Sequence, residues 1–145
     1  MAHDFERFPE LTNNQMELYY WDSPHKQIFE DFEAEVIKVH DGDTITVKWQ
    51  ERDFNFPVRF SNISAPELNE SGGAEAQSWL ESQILGENVV VRINPKNRVE
   101  KWGRLLGTIL HRGLDMGEAQ IIRGISTPWE KRNDGKIQSK FSRGF

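Results

Sequence analysis

Three short clusters carry the side chains best suited to chemistry. The first is Asp41-Gly42-Asp43-Thr44, where Asp43 lies just past a turn and offers a fixed carboxylate at the mouth of a strand. A carboxylate held in this way suits a hard divalent cation, which takes oxygen ligands. The second joins Arg59 to Ala65-Pro66-Glu67. Pro66 stiffens the backbone just before Glu67, which suits a base that must keep its position. The third is Lys101-Trp102-Gly103-Arg104, where Gly103 permits a tight approach and Trp102 offers a face on which a nucleobase can stack. Each cluster alone has a plainer use: a hairpin turn, a solvent-facing strand arginine, a packed tryptophan. Their joint presence in this order is more specific.

The elements that position them read as a small β-rich protein. Residues 32–39, 44–49 and 56–63 are strand-like and suggest an antiparallel meander, with Asp41-Gly42 as its first turn and Gly42 supplying a positive φ. Pro57 suggests an edge or a bulge near the start of the third strand. Residues 71–86 change to helical spacing, with Ala76, Trp79, Leu80, Gln83 and Ile84 on one face, Ser71 as the cap and Gly86 as the stop. Two more strands, at 87–93 and 104–113, flank a loop at 94–103, and a short helix at 114–124 is closed by Gly124. The fold class is therefore β-rich α+β, a five-stranded OB-type barrel with two short helices. An acidic N-terminal extension or docked arm covers 1–30, the barrel domain covers 31–126, and a short irregular tail covers 127–145. Within the extension, residues 16–21 read as a short strand or part of a docked arm. The tail contains Pro128 and an Asn-Asp-Gly turn.

Composition limits the class. Apolar residues make up 37% of the 145, with five tryptophans and nine phenylalanines, enough for a real core. There are no cysteines, so disulfides and thiolate metal sites are excluded. No apolar run approaches membrane-spanning length. The polar, acidic start lacks the pattern of a secretory signal, and a place in the cytoplasm or within a larger particle is expected over secretion. The net charge of −5 is unevenly distributed. Residues 1–35 hold nine acids and two bases, whereas from Arg92 onward there are twelve bases and five acids. The C-terminal half suits a polyanion, and the acidic extension would compete with nucleic acid for it.

Taken together, the three motifs resemble the staphylococcal nuclease (thermonuclease-like) domain family over about residues 33–125. The resemblance implies metal-dependent hydrolysis of phosphodiester bonds in DNA or RNA. It implies Asp43 as a direct calcium ligand, Asp41 beside it, and the Ala65 carbonyl as a second ligand, with magnesium as another candidate ion. Glu67 would orient or deprotonate the attacking water, Arg59 and Arg104 would grip the phosphate, and Thr44 would support the metal loop. The loop residues Lys96, Arg98, Lys101 and Trp102 are expected to contact single-stranded DNA or RNA. One position departs from the family pattern: Ser64 stands where an aspartate ligand is normal. A neutral hydroxyl binds a cation less well, so reduced activity is expected. The alternative is an inactive nuclease-like module that docks through its extension and tail into a larger assembly, such as a virus particle.

Overall fold

A computed structural model describes residues 3–129; residues 130–145, including the expected Asn-Asp-Gly turn of the tail, lie outside the described part. Five strands close into a mixed barrel: β1 (Phe32–Asp41), β2 (Thr44–Lys48), β3 (Phe56–Phe60), β5 (Asn88–Arg92) and β6 (Leu105–His111). β1 pairs antiparallel with β2 and with β5, β2 with β3, and β5 with β6. A parallel pairing of β3 with β6 shuts the ring. The short strands β4 (Ile63–Ser64), β7 (Leu114–Asp115) and β8 (Thr127–Pro128) are additions at the margin. β3 is bonded on both sides, so Pro57 marks no edge. Its missing N–H is tolerated because the parallel pairing with β6 begins only at Val58.

The imperfect alternation of β1 has a physical cause. Phe32, Ala34 and Val36 face inward, the register shifts between Val36 and Lys38, and Val39 then takes the inward place while Ile37 stays partly exposed. Such irregularities bend a strand and let it wrap a barrel. Ile45, Val47, Phe56, Val58, Phe60, Val89, Val91, Leu105 and Ile109 complete the core.

Helix α2 (Gly73–Ile84) closes the barrel through Ala76, Leu80 and Ile84. It starts at Gly72, whose left-handed φ of 86° makes it the N-cap in place of Ser71. α3 (Met116–Ile122) is capped by Asp115, which accepts from the amides of Gly117 and Glu118.

Residues 16–21 are not a strand. α1 (Asn13–Tyr19) and a following 3-10 turn (Tyr20–Asp22) begin at a reciprocal capping box between Thr12 and Gln15. Around this helix, which buries none of its own residues, the arm is fastened to the barrel. Leu11 and Ile28 are fully buried, and the Gln27 side chain bonds the Leu11 amide at 2.6 Å and the Pro9 carbonyl at 2.9 Å. Glu10 enters a buried triad with Arg52 and Arg98. Among the described residues, no helix is long and apolar enough to cross a membrane.

Candidate active site

The turn between β1 and β2 is the centre of the site. Gly42 is required there by space and does not adopt a positive φ. A Cβ at this position would lie 2.6 Å from the Cβ of Ala65 and 3.0 Å from that of Ala76. The turn is therefore wedged between the β4–α2 segment and α2 itself. It is also held from α3, where buried Gln120 donates to the Gly42 carbonyl at 2.7 Å and accepts from Ser126 Oγ at 2.6 Å.

From this turn Asp43 reaches several partners. Its Oδ2 accepts the Ala65 amide at 2.9 Å and pairs with Arg59 Nη2 at 3.3 Å, and its Oδ1 accepts from Thr44 Oγ1 at 3.2 Å. Thr44 Oγ1 in turn accepts from Arg104 Nη1 at 3.2 Å. Arg104 closes on Glu100 through two bonds of 3.1 Å each, and these bonds hold its pKa above the ordinary value. Arg59 is 9% exposed and also donates from Nη1 to the carbonyls of Phe60 and Ile63. A continuous chain of charge-assisted contacts thus runs Arg59, Asp43, Thr44, Arg104, Glu100. The register makes this possible, since Arg59 stands opposite Thr44 across β2 and β3.

Asp41 adds a second carboxylate. Its Oδ1 accepts the Asp43 amide at 3.0 Å. Burial, reinforced by the hydrogen bond and charge of Asp43 and then by Glu67, pushes Asp41 up to about 6. Two acids packed this closely resist ionising together. Glu67 stands at the rim with its side chain exposed. Its backbone is fixed, because its carbonyl accepts the Glu70 amide at 2.8 Å and lies so close to Gly73 that no Cβ would fit there.

Asp41, Asp43, Arg59, Ala65 and Arg104 are therefore brought together, with Glu67 beside them. Ser64 is buried next to Ala65, and its strand pairs with Thr127. On the flank, Trp102 is 66% exposed with Lys101 Nζ 5.2 Å from its ring centre, and Lys96 is also exposed. Arg98 does not belong to that surface. It is 1% exposed, and its guanidinium donates to Ile28 O, Leu11 O, Asn13 Oδ1 and Glu10 Oε1. The arm consumes every direction in which it could meet a phosphate.

Two residues of the site were not foreseen. Glu100 has a readable signal, a charge four residues before Arg104. Trp129, whose ring centre lies 5.3 Å from the Arg59 guanidinium, has none, because β4–β8 pairing alone brings it there.

The donor set limits what metal it would hold. Among the described residues, no group of three or more His, Cys, Asp or Glu is poised around a common point. Calcium takes six to eight oxygens, whereas a smaller hydrated cation is content with one or two carboxylates plus substrate phosphate. Asp43 and Asp41 supply two neighbouring carboxylates of the kind the second description asks for, with Ala65 tied to Asp43 through its amide.

No family model matches the chain. Two curated proteins are similar to it. A micrococcal nuclease of Shigella flexneri is 33% identical over 79 residues, covering 54% of this chain and 42% of that protein. A probable endonuclease LCL3 of Colletotrichum graminicola is 32% identical over 87 residues, covering 53% of this chain and 31% of that protein. The chain thus spans less than half the length of either relative. With the three motifs gathered at one end of a five-stranded barrel, these similarities support a resemblance of the chain to staphylococcal-nuclease-like proteins.

Proposed function

We propose that this domain hydrolyses phosphodiester bonds in single-stranded DNA or RNA, aided by a divalent cation. The observation that carries this reading is the continuous network from Arg59 through Asp43 and Thr44 to Arg104, with Glu67 at its rim. In-line attack by water builds negative charge on the non-bridging oxygens. Two guanidiniums on one side of the site would take that charge through charge-assisted hydrogen bonds in a fixed fork geometry. Glu67, exposed on a backbone held by Glu70 and Gly73, would accept the proton of the attacking water, an effect typically of about a hundred- to ten-thousand-fold. Trp102 and Lys101 would lie along the strand being cut. A cation held by Asp43, Asp41 and the Ala65 carbonyl would supply Lewis-acid polarisation of the phosphate.

Glu67→Gln and Arg104→Ala are each expected to abolish cleavage of single-stranded oligonucleotides while the melting curve stays that of a folded protein. Undiminished cleavage in both would overturn the assignment. A second reading, a catalytically silent module that docks in a larger assembly, is favoured by the closure of both arginines on internal carboxylates and by Ser64. It predicts no cleavage by the unaltered chain with calcium, magnesium or manganese.

A further inference from the structure

The loop leading to Arg104 has little regular structure of its own, and the N-terminal arm holds it at both ends. At its start, Asn13 Nδ2 donates to the Pro95 carbonyl at 3.1 Å, and Arg98 is gripped by Leu11, Asn13 and Glu10. At its end, the Phe8 ring lies on Gly103. A Cβ there would stand 2.6 Å from Phe8 Cδ1, and φ of Gly103 is +91°. The Gly103 amide closes a tight turn on the Glu100 carbonyl at 2.8 Å, and the next residue, Arg104, grips the Glu100 carboxylate. Phe8, Trp102 and Arg104 line one small cavity of about 170 Å³.

We propose that the arm is a positioning element of the site. Phe8, seated on Gly103 and anchored through Glu10 to Arg98, sets the direction of Arg104 and the pose of Trp102. This rests on Arg104 acting as a phosphate clamp. Charge distribution alone points to an acidic arm that competes with nucleic acid. The geometry points the other way, since Glu10 is turned inward and neutralised by Arg52 and Arg98, and the contact beside Arg104, at Gly103, is made by an apolar ring.

The test is a double-variant cycle in the full chain, with Phe8→Ala, Arg104→Ala and both together. The readout is fluorescence anisotropy of a labelled single-stranded DNA oligonucleotide at low salt, with melting temperatures measured in parallel. Phe8→Ala is expected to weaken binding about tenfold, the order of one charge-assisted hydrogen bond to a phosphate lost. In the Arg104→Ala background the same change is expected to cost much less, because only Trp102 is left to be positioned. Phe8→Leu, which still covers Gly103, is expected to restore most of the affinity. A loss of stability alone would not produce this coupling. Full affinity in Phe8→Ala, tighter binding in it, or losses that multiply in the double variant would overturn the arm's role and leave the nuclease reading standing. An Arg104→Ala chain that binds and cuts like the unaltered one would overturn both.

Discussion

The most exacting test of this architecture is Glu10→Ala. Glu10 Oε1 accepts from Arg98 Nη2 at 2.9 Å and from the Ile28 amide at 3.0 Å, and Oε2 accepts from Arg52 Nη2. Both arginine side chains are 0% exposed and that of Glu10 is 1% exposed. Removing the carboxylate leaves two buried guanidiniums without a counterion. Breaking a buried pair costs about 3–5 kcal/mol, and an orphaned buried amide adds about 1–3 kcal/mol. Arg52 keeps some compensation from the faces of Phe56, Phe54 and Trp49, with ring centres 4.6–5.8 Å away, and Arg98 keeps its carbonyl partners. The expected loss is therefore about 4 kcal/mol, a large share of the roughly 5–15 kcal/mol that holds a domain of this kind together. Urea unfolding followed by tryptophan fluorescence measures it. One cooperative transition with a lowered midpoint and an unchanged slope is expected, since the arm and barrel share the triad. A loss below about 1 kcal/mol would refute the reasoning, because the arm would then be detachable and its arginines solvated.

Three further outcomes follow from the site. Gly42→Ala pushes a Cβ against Ala65 and Ala76 and should cost about 1–3 kcal/mol in urea unfolding while displacing the Asp43 turn; a fully stable variant would show that the turn has room. Asp41→Asn should stabilise the protein at neutral pH. The folded-state pKa of Asp41, raised to about 6, gives stability that is present below about pH 4 and lost as pH rises through 6, so the variant's stability profile should lack that fall, and parallel profiles would refute the shift. Ser64→Asp buries a new charge beside Asp43 and should lower the melting temperature in chelator. It should then gain more from calcium than the unaltered chain, about 2.7 kcal/mol at a hundredfold excess over Kd, and equal calcium responses would show that position 64 is no ligand.

The barrel was legible because its signals are local. Period-two alternation marks β2, and the switch to helical spacing marks α2. The failures have local causes as well. The run at 16–21, rich in tyrosine, reads as a short strand or part of a docked arm; the strand alternative fails because Thr12 and Gln15 cap a helix just upstream, a signal that lies outside the run itself. Gly42 was expected to serve backbone conformation, whereas its role is contact with Ala65 and Ala76, which are distant in sequence. Arg98 belonged by charge to a nucleic-acid surface. Only the folded arm, which arrives from more than eighty residues upstream, shows that it is a buried anchor.

The site residues were legible as types, but their pairings were not, and the pairings bear most on Ser64. With a neutral serine there, no charge from position 64 helps to hold a cation, and Asp43 is the carboxylate paired with Arg59. The same Oδ2 that accepts the Ala65 amide also receives the guanidinium, so it cannot serve a cation fully while Arg59 rests on it. In the proposed reaction, a phosphate that draws Arg59 onto its own oxygens releases that carboxylate. If Asp43 were to hold a cation, Arg59 would be left free for the phosphate. Each ligand would then remove the internal partner that blocks the other, and binding of the two would be reciprocally favourable. Such an exchange would turn on the single 3.3 Å ion pair between Arg59 and Asp43, so the closure that favours a silent module would also be the resting state of a site that opens on binding.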